Sequence, residues 1–177
     1  MRKLKLEELN RISVEDYKES SKTPVVVILD NIRSLHNVGS IFRTSDALRL
    51  EAVYLCGITS TPPHKEIHKT ALGAEDSVDW HFFKETMEAV KKLKKDGYLL
   101  IGLEQVEGST DLRDFRPDTQ KKYAIILGHE VRGIDQQVVD ACDLCLEIPQ
   151  YGTKHSFNVS VSGGIVLWEI AKAWLKD

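Results

Sequence analysis

Continuous apolar runs alternate with amphipathic stretches along most of this chain. VVVIL at 25–29, YLLIGL at 98–103 and YAIILG at 123–128 have the length and composition of strands that are covered on both faces. Stretches such as 37–49 and 84–95 instead place apolar residues at helical spacing. This alternation of strands and helices predicts an α/β fold with a mostly parallel sheet.

The same pattern predicts the remaining elements. Further strands are predicted at 52–56, 77–83 and 144–149. Further helices are predicted at 66–72, 134–142 and 158–175. Ahead of the first strand, residues 1–23 show helical spacing with a break near Ser13, which predicts a short N-terminal helical extension. Residues 24–177 are then expected to form a single domain.

The overall composition is that of a globular protein and excludes several classes. The net charge of −3 does not fit a protein that coats nucleic acid, although a local basic patch remains compatible with it. No apolar run is long enough to cross a bilayer, and MRKLKLEELNR lacks the apolar core of a signal peptide. We therefore expect a cytoplasmic protein that does not bind membranes.

Three cysteines fit a reducing compartment rather than a disulfide framework. Cys142 and Cys145 form a C-x-x-C, but no second pair completes a zinc site, and Cys145 lies within an apolar run. We interpret both as small buried residues. His64 and His68 could share a helix face as metal ligands, but the sequence places no third ligand beside them, so no metal is expected.

Polar loops follow the predicted strands and indicate where a ligand binds. In parallel α/β sheets, ligands bind at the carboxyl ends of the strands. The loops in question are DNIRSLHNVGS at 30–40, EQVEGST at 104–110, GHEVRGID at 128–135 and PQYGTKHSFN at 149–158. Because these ends meet at one edge of the sheet, the loops form a single candidate site.

Two of these loops also have a simpler structural interpretation. Gly128 and Gly133 could bracket an ordinary turn in which Glu130 is solvated. Ser156 and Asn158 precede a predicted helix, where both are favoured N-caps. The chain contains no G-x-S-x-G elbow and neither of the two common phosphate-binding glycine loops, which excludes the most familiar hydrolase and nucleotide sites.

Three of these segments together resemble the sequence motifs of the SpoU (TrmH-type) RNA methyltransferases of the SPOUT superfamily. They are LDNIRSLHNVGSIFRTSDAL at 29–48, AIILGHEVRGID at 124–135 and LEIPQYGTKHSFNVSVSGGIVLWE at 146–169. The resemblance implies a parallel-sheet α/β knot, with a deep C-terminal trefoil that binds S-adenosylmethionine. It also implies a homodimer that methylates a ribose 2′-hydroxyl of tRNA or rRNA, with RNA rather than DNA as the partner.

The resemblance also implies roles for individual residues. The residues that match the family's catalytic positions are Asn37, Arg43, Glu130, Ser156 and Asn158. Those that match its cofactor contacts are Leu103, Gly128, Ile148 and Phe157. The chain departs from the usual motif at three places, with Phe157 for Leu, His129 for Asn and Gln150 for Met.

We expect Arg43 to lie where its helix turns towards the core and to act as a clamp on a phosphate of the target. A guanidinium is a poor base because it stays protonated. Glu130 is expected to orient it. A non-catalytic RNA-binding factor with this fold is disfavoured because all five catalytic positions are occupied, and base methylation is disfavoured by the Asn-to-Arg spacing and the S-F-N loop.

Overall fold

The computed structural model describes residues 1–9 and 11–175. Residue 10 of the predicted extension and residues 176 and 177 of the predicted domain therefore lie outside the described part. Within this described part, the strands are β1 (Thr23–Asp30), β2 (Leu50–Cys56), β3 (Trp80–Phe83), β4 (Tyr98–Leu103), β5 (Thr110–Asp111), β6 (Lys122–Leu127) and β7 (Leu144–Glu147). The α-helices are α1 (Val14–Glu19), α2 (Leu35–Ala47), α3 (Lys65–Ala71), α4 (Ala74–Ser77), α5 (Thr86–Lys95), α6 (Gln136–Ala141) and α7 (Val159–Ala171).

All strand pairs in the sheet are parallel, in the order β3-β2-β1-β6-β4-β7-β5. This confirms the predicted α/β fold. Parallel pairing also brings the carboxyl ends of all the strands to one edge, so the polar loops that follow them converge. The deep trefoil knot concerns how the chain threads through itself, and it stays a prediction.

The sheet separates two hydrophobic cores, which explains the unbroken apolar runs of its strands. Along β1, Val25 and Val27 face one core with α2, α3 and α7, whereas Val26 and Ile28 face the other with α5 and α6. Successive side chains of a strand point to opposite faces, so a strand covered on both faces needs apolar residues at every position.

Two edge elements differ from the prediction. The segment predicted as one strand at 77–83 contains the end of α4 and the shorter strand β3. β5 has only two residues and is absent from the prediction, because so short an element leaves no periodic pattern. Both strands, β3 and β5, lie at the edges of the sheet.

The N-terminal segment contains a break at the predicted place. Ser13 caps α1 and accepts a hydrogen bond from the Asp16 N–H, and the preceding residues form only a 3-10 turn at Leu6–Leu9. Tyr17 of α1 is buried in the first core, so this part of the extension packs on the domain. Within the described residues, no helix is long and apolar enough to span a bilayer.

Glycine inside α2 allows a very close approach of α3. A side chain added at Gly39 would overlap the carbonyl oxygen of Ile67 and the hydroxyl of Thr70. At Gly163 of α7 an added carbon would come within 2.8 Å of Leu127 and 2.9 Å of Ile41. Gly164, next to it in sequence, has nothing within 4 Å of that position. Small residues are thus required at specific helical positions and not at their neighbours.

The same substitution at two helical glycines should have opposite effects on stability. Gly39→Ala forces α2 away from the α3 backbone and should lower the free energy of unfolding by about 1–3 kcal/mol. Gly164→Ala meets open space and should raise it by about 0.5–1 kcal/mol, since alanine is the better helix former. Urea unfolding of both variants measures the difference. Equal effects would show that packing between α2 and α3 does not govern the result.

Candidate active site at the carboxyl edge of the sheet

The loop between β1 and α2 forms the first wall of the site. Ser34 caps α2 and accepts a hydrogen bond from the Asn37 N–H at 3.3 Å. The helix therefore begins at Leu35, two residues before the predicted start, and Asn37 lies in its first turn with its side chain buried. The cap thus brings a polar amide into an otherwise apolar interface.

The Glu130 carboxylate connects this loop to the one after β6. It accepts hydrogen bonds from the Arg33 N–H at 3.0 Å and the Ser34 N–H at 2.9 Å. It also accepts one from the Asn37 side-chain amide at 3.1 Å. Three donors around the start of α2 thus converge on a single side chain more than ninety positions away along the chain.

The same asparagine also reaches the third loop. Asn158 donates from its side-chain amide to Asn37 Oδ1 at 3.1 Å, and the Ser160 hydroxyl donates to the same oxygen at 3.3 Å. Asn158 in turn caps α7, where its Oδ1 accepts from the Ser160 and Val161 N–H groups. Asn37 therefore joins all three segments whose sequences resemble family motifs.

Hydrogen bonding sets the charge state of Glu130. Burial by itself would raise the pKa of this carboxyl, but the N–H groups of Arg33 and Ser34 and the Asn37 amide outweigh it and hold the pKa below its ordinary value. The Glu130 carboxylate is thus ionised at neutral pH and acts only as an acceptor. Its negative charge lies at the rim of a cavity.

The loop after β6 closes on itself. His129 and Gly133 exchange two backbone hydrogen bonds of 3.1 and 2.8 Å. The His129 ring accepts through Nδ1 from the Val131 and Arg132 N–H groups at 3.0 and 3.3 Å. A histidine in this position serves as a hydrogen-bond acceptor for the turn, as an asparagine could, which explains how the departure from the usual motif is accommodated.

Gly128 is required by the chain itself. A side chain at this position would overlap the backbone of Gly133 and Ile134, which passes directly over it. The resemblance implies that Gly128 contacts a cofactor, but in the structure the group that approaches it most closely is another segment of the same loop. Gly128 nevertheless lines the cavity, so both roles are compatible.

A cavity of about 540 Å³ opens between the loops that follow β4, β6 and β7. All four residues predicted to contact a cofactor line it, together with three of the five predicted catalytic residues. These seven are Leu103, Gly128, Ile148, Phe157, Glu130, Ser156 and Asn158. Asn37 is held at its edge by its bonds to Glu130 and Asn158. The lining also contains residues that the motifs did not assign, among them Glu104 and Arg132.

Arg43 departs from the expectation for its surroundings. Its side chain is exposed on α2 and does not turn towards the core, and it does not line the cavity. Among the described residues, no hydrogen bond or ion pair includes it, and the donors to Glu130 are Arg33, Ser34 and Asn37. The expected contact between Glu130 and Arg43 is thus wrong for the single chain. The reason is helical geometry: six residues rotate Arg43 by about 240° from Asn37 around α2.

Glu104 is a site residue that the sequence analysis did not single out. It follows β4, and its carboxylate accepts from the Ile134 N–H at 2.9 Å and from the Gln105 N–H at 3.0 Å. It lines the cavity and fills the space beside Gly133. Only its place directly after a strand could have indicated it, because the loop EQVEGST carries no sharp motif.

The other candidate features of the sequence have local roles. Cys145 is buried and Cys142 half-buried against Gly102, and burial raises the pKa of the Cys142 thiol to about 12. His64 Nδ1 accepts from the Glu66 N–H, and His68 pairs with Glu75. Among the described residues, no group of three or more His, Cys, Asp or Glu is placed to hold a metal ion.

Comparison with known proteins identifies the family to which this chain belongs. The model of the SpoU rRNA Methylase family matches residues 24–168, so the chain belongs to that family. The 23S rRNA (guanosine-2′-O-)-methyltransferase RlmB of Neisseria meningitidis serogroup B is 33% identical over 161 residues, which are 90% of this chain and 63% of RlmB. The chain thus spans less than two-thirds of that relative.

Solved structures agree on the fold. An rRNA methyltransferase from Sinorhizobium meliloti with bound AdoMet superposes with a TM-score of 0.80 at 24% identity, over 91% of this chain and 61% of that one. The TrmH/SpoU tRNA modifying enzyme of A. aeolicus superposes with a TM-score of 0.78 at 24% identity, over 90% and 81% of the two chains. The resemblance drawn from the three motifs is therefore confirmed at the level of family and fold.

Removing one oxygen from the Glu130 carboxylate should destabilise the protein in a pH-dependent way. Glu130→Gln loses acceptor capacity and should lower the free energy of unfolding by about 1–3 kcal/mol at pH 7. Because the folded-state pKa is lowered, this contribution is present above the ordinary pKa of 4.5 and is lost as the pH falls through the folded-state value.

Urea unfolding at neutral pH and at values below 4.5 measures this prediction. Glu107→Gln is the matched control, since Glu107 is exposed and takes part in no hydrogen bond among the described residues. A difference between wild type and Glu130→Gln that stays constant with pH would contradict the role given to the charge.

Proposed function

We propose that the protein transfers a methyl group from S-adenosylmethionine to a ribose 2′-hydroxyl of tRNA or rRNA. The observation that carries the proposal is the hydrogen-bonded junction of Glu130, Asn37 and Asn158 beside the cavity. It joins the three segments that match the family, and family membership supports the same reaction. The relative RlmB is itself named a guanosine 2′-O-methyltransferase.

The cavity fits the cofactor in size and chemistry. Its volume of about 540 Å³ lies within the range of pockets for small molecules, roughly 300–1,000 Å³. Leu103, Ile148 and Phe157 offer apolar surface suited to an adenine ring. Carboxylates of Glu104 and Glu130 at its wall favour a ligand that carries positive charge, as a sulfonium does. The solved relative from Sinorhizobium meliloti that contains AdoMet has the same fold.

The residues of this chain would position the ribose and stabilise the charge that develops on its oxygen. The cofactor's sulfonium supplies an activated methyl group, so holding the ribose in line contributes much of the rate. Asn158 and Ser156 lie at the cavity, where they would hold the ribose and the loop. Arg43 would bind a phosphate of the RNA and stabilise the negative charge that develops on the ribose oxygen, while phosphate or water takes the proton.

A homodimer is part of the proposal. Val161, Ile165 and Trp168 form an apolar stripe along α7 at i, i+4 and i+7, and all three side chains are exposed in the single chain. We call these three residues the α7 stripe. In a two-fold symmetric dimer, the α7 stripe of each copy would be buried against the other copy and removed from water. Arg43, which does not line its own cavity, would then serve the cavity of the partner.

RNA binding would depend on local cations, since the net charge is negative. Arg33, Arg132 and Lys154 are exposed in or beside the loops of the site, and none takes part in an ion pair among the described residues. RNA rather than DNA is the proposed partner, because only RNA carries the acceptor hydroxyl. We also propose a cytoplasmic location, because the proposed substrates are tRNA and rRNA.

Labelled cofactor should mark a single ribose position in RNA. After incubation with bulk tRNA and rRNA and S-adenosylmethionine labelled in the methyl group, we expect label in RNA that resists alkaline cleavage at one phosphodiester. A substrate with deoxyribose at the mapped position should accept no label. Label retained on the deoxy substrate would mean base methylation, and absence of label from every RNA would favour a non-catalytic factor.

Loss of Arg43 should abolish transfer and leave cofactor binding intact. Arg43→Ala removes an exposed cation outside the cavity lining, so the affinity for S-adenosylmethionine measured by calorimetry should stay at the wild-type value. Arg43→Lys keeps the charge without the bidentate geometry and should retain partial activity. Loss of cofactor binding in Arg43→Ala would overturn this assignment.

The activity of mixed dimers shows whether Arg43 acts at the site of its own subunit or at the site of its partner. Subunits with Arg43→Ala and with Asn158→Ala are each expected to form inactive homodimers. If Arg43 acts across the interface, each mixed dimer has one intact site, and random mixing should restore about a quarter of the wild-type activity. If it acts within its own subunit, every site carries one defect and mixing should restore none.

A further inference from the structure

A second cleft lies at the same edge of the sheet, over β2 and β3. Its volume is about 620 Å³, and its lining contains two aromatic rings, a histidine and several hydroxyls. The lining residues are Gly57, Thr59, Ser60, Thr61, His64, Trp80 and Phe82. It shares no lining residue with the cavity of the candidate active site, so it is a separate feature.

The two aromatic residues of the cleft lie on one face of an edge strand. Trp80 and Phe82 alternate along β3 on the side of the first core, and Phe83 points to the opposite face and packs on Tyr54. The Phe82 side chain is 50% exposed, and β3 is the outermost strand at this side of the sheet. Two aromatic rings beside an open sheet edge form a candidate surface for a ligand.

Polar groups around the rings remain available to a ligand. Among the described residues, the hydroxyls of Ser60 and Thr61 make no hydrogen bond. His64 accepts through Nδ1 from the Glu66 N–H, which leaves its Nε2–H as a donor. A flat apolar surface with nearby donors and acceptors matches a nucleobase, which offers a π-face and a polar edge.

Hydrogen bonds connect the loop that lines the cleft to the loop that forms the first wall of the active site. The Thr59 hydroxyl accepts from the Ile32 N–H at 2.9 Å, and Asn31 Oδ1 accepts from the Ile58 N–H at 3.2 Å. The next residue after Ile32 is Arg33, whose N–H binds Glu130. Along the sheet, the two sites are separated by roughly three strand spacings, or about 15 Å. A single extended strand of RNA could occupy both.

We propose that this cleft, the Trp80–Phe82 cleft, stacks an unpaired nucleobase of the RNA that is methylated at the active site. The inference rests on the proposed function and adds a second point of recognition to it. The hydrogen bonds that connect the cleft to the active-site loop favour this RNA as the occupant over a protein partner. Lys65 at the start of α3 and Lys84 directly after β3 are exposed and take part in no ion pair among the described residues, so they can contact phosphates, although the exposed Asp79 and Glu85 also lie beside β3.

Phe82 is the residue to substitute, because it is half-exposed and its loss should leave the fold intact. Binding is measured with a short single-stranded RNA of mixed sequence and with an abasic strand of the same length. Phe82→Ala and Phe82→Leu should bind the RNA at least fivefold more weakly, roughly the lower end of a lost stacking contact. Phe82→Tyr keeps a ring and should bind like wild type.

The abasic strand and the leucine variant make the test specific. All four proteins should bind the abasic strand alike, since it retains the phosphates and lacks the bases. Phe82→Leu retains apolar bulk without a π-face, so wild-type affinity in this variant would overturn the proposal and leave the surface to a protein partner. Thermal unfolding of each variant checks that the fold is retained.

Activity separates this inference from the proposed function. In Phe82→Ala the KM for RNA should rise, whereas kcat and the affinity for S-adenosylmethionine should match wild type. A wild-type protein that transfers no methyl group would overturn the proposed function. Full transfer with an unchanged KM in Phe82→Ala would overturn the stacking site alone.

Discussion

The Glu130 carboxylate is the interaction on which the rest of the site depends. It accepts two backbone N–H groups from the loop before α2 and the buried side-chain amide of Asn37 in the first turn of α2. Asn37, oriented in this way, presents its oxygen to Asn158, which caps α7. One negative charge thus orders three segments that are far apart along the chain.

Parallel pairing makes this junction possible. Because β1 and β6 are neighbours in the centre of the sheet, their following loops begin about one strand spacing apart, near 4.8 Å. The loops can therefore bond to each other directly, and the cavity forms beside them over β4 and β7. The second cleft arises in the same way over β2 and β3. Both candidate sites follow from a shared edge rather than from separate domains.

Much of the site could be predicted from sequence, but the position of Arg43 could not. Leu103, Gly128, Ile148 and Phe157, which the resemblance to the family implied as cofactor contacts, line the cavity. The first three end or directly follow a strand, whereas Phe157 lies in the loop before α7. Arg43 lies inside a helix, where the direction of a side chain depends on the rotation of the whole helix against the sheet. Glu104 was missed because a single carboxylate in a loop has no periodic signature.

The sequence by itself determined the class of fold, the order of its elements and the family, since apolar runs and local motifs are properties of neighbouring residues. Only the tertiary structure decided which polar groups meet. Glu130 binds the loop of Asn37 and not the side chain of Arg43, and Gly128 accommodates the backbone of its own loop. Such contacts depend on the packing of segments that are distant in sequence, and no local pattern encodes their geometry.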